Sequence, residues 1–169
     1  PAVTPAEQRF LDLYASVSAK LPGAGSAAVR AWRDAARDAF IMLGVPHRRV
    51  EEWKYTDLRA LMPEVYPLGG LDSKAPDVSV EAAIGKSLAH LDAYRAVFVG
   101  GRFRPDLSTI HDAPGVTFEP LHQVLEDDGA SVQAIAKVAL PQRDVIAALS
   151  TAFATDGAIL AVAPKTRLE

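Results

Sequence analysis

Residues 4–44, TPAEQRFLDLYASVSAKLPGAGSAAVRAWRDAARDAFIMLG, decide the fold class of this 169-residue chain. Thr4 can cap a helix, Pro5 suits the first helical position, and Glu7 can return the bond of a capping box. The pattern therefore predicts a helix from Pro5 to about Lys20. Its apolar face consists of Phe10, Leu13, Tyr14, Val17 and Leu21.

The second half of this stretch predicts another helix, which Ser26 caps and Gly44 ends. Its apolar positions also recur every three or four residues, so we expect an antiparallel hairpin of two helices. The intervening residues 22–26 contain two glycines before a helix, as phosphate loops do. No strand precedes them and no Lys-Ser/Thr pair follows, so they predict an ordinary turn. The apolar stripe of the second helix is Val29, Trp32, Ala36, Ala39, Phe40 and Leu43.

The rest of the chain mixes helix and strand signals, which makes the predicted fold class α+β. Short helices are predicted at 80–89 and 121–125, and a helix capped by Asp144 carries apolar Ile146, Leu149, Ala152 and Phe153. A hairpin is predicted where Gly100-Gly101 joins strands 95–99 and 102–104. Further strands are predicted at 116–119 and 158–162, the last apolar enough to be buried and without a partner element after it in the sequence.

The composition narrows the class of protein. The net charge is −3, from 18 basic and 21 acidic residues, which argues against nucleic acid as a partner. The chain has no cysteine, which excludes disulfides and thiolate ligands and suits a reducing, cytoplasmic compartment. No segment approaches the run of about 18 apolar residues that spans a membrane.

We predict four segments: a helical region at 1–65, an extended linker at 66–79, a mixed region at 80–157 and a final strand at 158–169.

The densest chemistry lies between residues 45 and 63. Thr56 can cap a short helix with Leu58, Leu61 and Met62 on one face. Trp53 and Tyr55 are large side chains with polar tips, which suit either an intramolecular clasp or an interface with a partner, and the clasp is favoured because large aromatics usually fill cores. An alternative is a small stand-alone domain that binds an anion or ligand through Arg48, Arg49, Lys54 and Arg59.

No catalytic, cofactor or metal site is predicted from the motifs. The four histidines are scattered, and the pairs nearest to a metal site, His111 with Asp112 and His122 with Glu126, have no third ligand at a recognisable spacing. The residues Asp127-Asp128 before Gly129 are explained as a solvated turn.

The string RVEEWKYTDL at residues 49–58 closely resembles the R-x-E-x-W-[KR]-Y-T-[DN]-L signature of the SufD family, subunits of the SUF machinery for iron–sulfur cluster assembly. VFVGGRF at 97–103 resembles the family's V-F-V-[ND]-G-x-[FY] hairpin. ALSTAFATDG at 148–157 resembles its L-N-x-A-[FL]-x-x-D-G stretch, with Ser150 where Asn is usual. The related SufB subunits carry a different tryptophan pattern near their start, so the resemblance favours SufD.

The resemblance implies a non-catalytic scaffold. Members continue into a right-handed parallel β-helix, so strand 158–162 would be its entry and most of that core would lie beyond this chain, whose last two residues could also be a tag remnant. Members bind SufB and the ATPase SufC mainly through later regions, and an iron–sulfur cluster and reduced flavin belong to the whole complex. The implied contact residues in this chain are those of the motif: Arg49, Glu51, Glu52, Trp53, Lys54, Tyr55, Thr56, Asp57 and Leu58.

Overall fold

The computed structural model describes residues 3–62, 64–71, 77–127, 132, 135–136 and 141–167. It has the predicted mixture of helices and small antiparallel sheets, so the α+β class is confirmed. The chain divides into two units, the first formed by Pro1–Leu68 with Leu125–Ala154 and the second by Gly69–Val124 with Thr155–Glu169. The four predicted segments stay a prediction of domain organisation.

The described α-helices, numbered in chain order, are α1 (Pro5–Val17), α2 (Ala27–Leu43), α3 (Leu58–Leu61), α4 (Val80–Ile84), α5 (Lys86–Ala89), α6 (Leu121–Glu126) and α7 (Val145–Ala152). Single 3-10 turns occupy Ser18–Lys20, Glu51–Trp53, Pro105–Leu107 and Ile110–Asp112. The strands are β1 (Phe98–Val99), β2 (Arg102–Phe103), β3 (Val116–Pro120) and β4 (Ala158–Val162). None of the described helices combines the length and apolarity needed to cross a bilayer.

Capping residues fix the ends of the long helices of the first unit as predicted. The Glu7 amide donates to the Thr4 hydroxyl at 3.4 Å, and a Glu7 carboxylate oxygen accepts from the Thr4 amide at 2.7 Å, which completes the capping box of α1. Ser26 caps α2 by accepting from the Val29 amide. Asp144 caps α7. These local bonds satisfy amides that a helix leaves unpaired at its start.

The first unit is built around α2. Phe10 of α1 meets Phe40 of α2 edge to face, with ring centroids 5.5 Å apart, and Glu7 at the start of α1 bonds Val45 just after α2. The two helices are therefore antiparallel, as predicted. The most extensive neighbour of α2 is α7 rather than α1. The buried core cluster is Phe10, Ala39, Phe40, Val45, Val145 and Ala148.

Two apolar positions assigned to the stripes of α2 and α7 are exposed. Leu43 is 43% exposed and Ile146 is 37% exposed. Leu43 occupies the last position of α2 and Ile146 the second position of α7. The ends of a helix extend beyond its packed middle, so the helical period alone overestimates burial there.

In the second unit, β1 and β2 form the predicted antiparallel hairpin with shorter strands, pairing Phe98 with Phe103 and Val99 with Arg102. Phe103 also packs on Phe118 of β3, with ring centroids 4.7 Å apart. The single helix predicted at 80–89 is broken into α4 and α5 by Gly85, whose φ of 78° does not fit a helix.

Strand β4 has the predicted bounds but different surroundings. It pairs antiparallel with β3, in a register that places Leu160 opposite Phe118 and Val162 opposite Val116. No partner element follows β4, but β3 precedes it in the sequence, so the expectation of an orphan strand is wrong. The expectation of burial is also wrong, since Leu160 is 54% and Val162 57% exposed. A two-stranded ribbon covers little of its own faces, so an apolar strand can remain open to solvent.

Candidate functional site

The motif segment, residues 49–58, follows α2 as a series of tight turns and then enters α3. The Val50 amide donates to the His47 carbonyl, the Trp53 amide to the Val50 carbonyl and the Thr56 amide to the Trp53 carbonyl, at 2.8–2.9 Å. Each turn closes over three residues, so neighbouring side chains of the segment point in different directions.

Asp57, rather than Thr56, caps α3. Its carboxylate accepts from the Ala60 amide at 3.1 Å, and the helix begins at Leu58. The predicted cap is therefore one residue too early. Both residue types can cap a helix, and the turn that ends at Thr56 decides which one occupies the position. Leu58 and Met62 pack against the core cluster, whereas Leu61 is 67% exposed.

Glu7 and Arg59 fasten the end of the motif segment to the helical hairpin. Besides capping α1, the buried Glu7 carboxylate accepts from the Val45 amide at 2.9 Å and lies 3.6 Å from the Arg59 guanidinium. Arg59 also donates from its own amide to Pro46 and from its guanidinium to the carbonyl of Val45. The segment is therefore held at a fixed place beside the end of α2.

The pKa of Glu7 reports this arrangement. Burial raises the pKa, but the hydrogen bonds from Thr4 and Val45 and the charge of Arg59 outweigh it, so the pKa lies below its ordinary value of 4.5. The carboxylate is ionised at neutral pH and accepts from donors on both sides. The capping-box pattern locates Glu7 in the sequence but does not reveal its contact with a residue 38 positions away.

Tyr55 is 92% exposed, the most exposed large apolar side chain of the described residues. The Lys54 ammonium lies 5.3 Å from the centre of its ring and also pairs with Glu51 at 2.7 Å. Trp53 is half-buried. The clasp favoured from the sequence is therefore wrong for Tyr55, because a ring so exposed joins no elements of the fold.

The other motif residues also divide into exposed and half-buried side chains. Arg49, Glu51, Glu52, Lys54 and Thr56 are exposed, while Asp57 and Leu58 are half-buried. The structure thus brings the exposed members together on one short segment, with Leu58 anchored in the core. Whether this segment contacts a partner stays a prediction.

Of the four basic side chains assigned to an anion site, three face a carboxylate, and Arg49 alone has no ion pair among the described residues. Arg48 lies 3.6 Å from Asp57, Lys54 2.7 Å from Glu51 and Arg59 3.6 Å from Glu7. Each of these carboxylates offsets the charge that an anion would need. Nothing in the geometry therefore favours the alternative of an anion-binding domain built on these residues.

Asp156 is the polar centre of the second unit. Its side chain is 3% exposed and accepts from the amides of Phe103, His122 and Gly157. The His122 ring lies 3.0 Å from the same carboxylate. Burial raises the pKa of Asp156, but these hydrogen bonds lower it by more, so the pKa lies below its ordinary value of 3.8. Asp156 therefore ties β2, α6 and β4 together.

The sequence does not reveal this centre, because the acidic neighbour of His122 at helical spacing is Glu126. The actual partner lies 34 residues along the chain. His111 contacts Asp112 at 3.5 Å. Across the part of the chain that the structure describes, no three His, Asp or Glu side chains converge in a way that could hold a metal ion. Of the predicted acidic turn, Asp128 and Gly129 lie outside the described residues.

Comparison with known proteins identifies the family. Residues 4–169 match the model of the SufBD protein N-terminal region. A relative from Synechocystis, named as an iron–sulfur cluster assembly SufBD family protein, is 29% identical over 138 residues, which cover 81% of this chain and 30% of the relative. The chain thus spans about a third of the length of that relative. No solved structure matches it significantly. The family match covers nearly the whole chain, and the chain therefore belongs to the SufBD family, whose N-terminal region it represents.

Proposed function

We propose that this chain is the N-terminal region of a SufD subunit that acts as a non-catalytic scaffold in iron–sulfur cluster assembly, together with SufB and the ATPase SufC. The match to the SufBD N-terminal region carries the proposal. The name of the Synechocystis relative, which refers to cluster assembly, supports it. The choice of SufD over SufB rests on the motif around Trp53, which resembles the SufD signature.

The use of the buried acidic groups supports a scaffold rather than an enzyme. Among the described residues, Glu7 and Asp156 have the most buried carboxylates, and both accept hydrogen bonds from backbone amides. A carboxylate that is saturated by amides has a lowered pKa and is a poor general base. The cluster is then the cargo of the whole complex, and any reduced flavin belongs to that complex as well.

The exposed part of the motif segment is the proposed contact surface. Tyr55 is nearly fully exposed, while Glu7 and Arg59 hold the end of the segment against the helices. A tyrosine side chain has few rotatable bonds and loses little conformational entropy on binding, and tyrosine and arginine are enriched at protein interfaces. The absence of cysteine suits a cytoplasmic assembly, and no role is proposed with nucleic acid or a membrane.

Co-expression of the complete gene product with SufB and SufC of the same organism tests the scaffold role. We expect an affinity tag on this subunit to recover both partners and the recovered complex to assemble clusters. Deletion of the first 68 residues is a poor variant, because α7 belongs to the same unit and would lose its packing partner α2. Capture of neither partner by the intact protein would contradict the proposal.

A further inference from the structure

A groove of about 500 Å³ lies in the first unit, where the end of α1 faces the beginning of α2. This volume is within the range of small-ligand pockets. Its lining includes Tyr14, Ser18, Gly25, Arg30, Arg33 and Asp34, which bring polar and charged groups to it. The motif segment contributes nothing to this lining, so the groove is separate from the proposed contact surface.

Arg33 is a buried cation without a carboxylate partner among the described residues. It is 2% exposed, and its Nη atoms donate to the carbonyls of Ala152, Ala154 and Pro22. Its Nε has no acceptor in the described part of the chain. Burial lowers the pKa of Arg33 to about 10, which leaves the side chain charged at neutral pH. Carbonyl dipoles offset this charge only in part.

Arg30 adds a second positive charge to the same groove. It precedes Arg33 by three residues, so both side chains lie on one face of α2. Its Nη1 donates to the carbonyls of Ala24 and Gly25, at 2.6 and 3.0 Å. These bonds hold the guanidinium over the turn at the mouth of the groove and leave its remaining N–H groups available.

The acidic side chain of the groove does not neutralise these cations. Asp34 is four residues from Arg30, a spacing that permits an ion pair. Its carboxylate instead accepts from the Tyr14 hydroxyl at 3.1 Å and from Arg37 at 2.8 Å. Burial, together with Asp34, raises the pKa of Tyr14 to about 12, so this hydroxyl stays protonated and remains a donor to Asp34.

We propose that this groove binds a small oxyanion, a phosphate or carboxylate group, with Arg30 as the direct donor and the buried charge of Arg33 beneath it. A guanidinium presents paired N–H groups that match two oxygens of such an anion. The positive end of the dipole of α2, a helix of 17 residues, adds to the attraction. This site is independent of the scaffold role and can be tested without SufB or SufC.

Titration of the intact protein with inorganic phosphate, at constant ionic strength adjusted with chloride, tests the proposal. We expect saturable NMR shifts of the amides of Ser18, Gly25 and Arg30, together with a rise in the melting temperature. A parallel titration with acetate distinguishes the phosphate group from the carboxylate, and saturable binding of either supports the site.

Arg30→Gln is the informative variant, because Arg30 is exposed and its loss should not unfold the protein. Loss of a charged hydrogen bond should weaken binding by about tenfold or more. Arg143→Gln changes the charge equally at an exposed position outside both the groove and the motif segment and should bind as the wild type does. The proposal is overturned if no anion saturates the shifts, or if both variants bind with the same affinity, which would show non-specific attraction only.

Discussion

Replacement of Glu7 by glutamine should destabilise the first unit and loosen the motif segment. The carboxylate accepts from the Thr4 amide at 2.7 Å and the Val45 amide at 2.9 Å, and it lies 3.6 Å from Arg59. Glutamine keeps one acceptor oxygen but turns an NH2 group toward one of these donors. One charge-assisted hydrogen bond is lost and one buried amide is left without an acceptor. Together these effects lower the unfolding free energy by about 2 kcal/mol.

Urea unfolding, followed by circular dichroism, measures this change. For a chain of this size, about 2 kcal/mol corresponds to about 4–8 °C in the melting temperature. Glu51→Gln is the matched control, because Glu51 pairs with Lys54 on the surface with 81% of its side chain exposed. This control should change the unfolding free energy by less than about 1 kcal/mol.

The pH dependence gives a second test of the same contact. The pKa of Glu7 is lower in the folded protein than its ordinary value of 4.5. The stability from its ionised form is therefore complete above that value and is lost as the pH falls through the folded pKa. The Glu7→Gln variant should lose less stability than the wild type over this acidic range. Equal stability of variant and wild type at pH 7, with the same acid sensitivity, would refute the reasoning.

Three further predictions concern packing and backbone geometry, each read as an unfolding free energy. Gly23→Ala should destabilise the protein by about 2 kcal/mol or more, because φ is 73° and an added Cβ would lie 2.3 Å from the carbonyl oxygen of Leu125. Gly25→Ala is its control, since an added Cβ there meets nothing within 4 Å, and it should be nearly neutral. Phe40→Ala should lower the unfolding free energy by about 3–5 kcal/mol, because Phe40 is only 2% exposed. Met42→Ala is its control and should cost under about 1 kcal/mol, because Met42 is 71% exposed. Asp156→Asn should cost about 2 kcal/mol, with reduced loss of stability in acid, because it weakens a buried acceptor of several amides.

Local signals were sufficient for α1, α2, α7 and the hairpin turn. The capping box at Thr4, the caps at Ser26 and Asp144 and the Gly100-Gly101 turn act over a few residues. Sequence spacing reveals such short-range interactions directly. The same holds for the antiparallel order of α1 and α2, which a short connection enforces.

Burial depended on packing that the sequence does not contain. Leu160 and Val162 form an apolar strand as expected, but they are largely exposed because β3 is their described partner in a two-stranded ribbon. Tyr55 is exposed although large aromatic side chains usually fill cores. In each case the residue type indicates a preference, and the neighbours decide the outcome.

The motif segment was found from its sequence, whereas the long-range contacts of the fold were not. The contact that anchors the segment joins Glu7 to Val45, 38 residues apart, and the polar centre of the second unit joins His122 to Asp156, 34 residues apart. No periodic pattern connects positions so far apart, so these contacts become visible only in the folded chain. The contacts of buried Arg33 are of the same kind, since its partners at Ala152 and Ala154 are more than 100 residues away.

The most direct test of the central claim is the affinity of the complete gene product for SufB and SufC after Tyr55→Ala. Tyr66→Ala is the control, because Tyr66 is also exposed, at 76%, and lies outside the motif. Both variants should keep the wild-type melting temperature. We predict that Tyr55→Ala weakens binding of at least one partner by about tenfold and that Tyr66→Ala does not. Unchanged binding of both partners by the Tyr55→Ala protein would contradict the role of the motif segment as a contact surface.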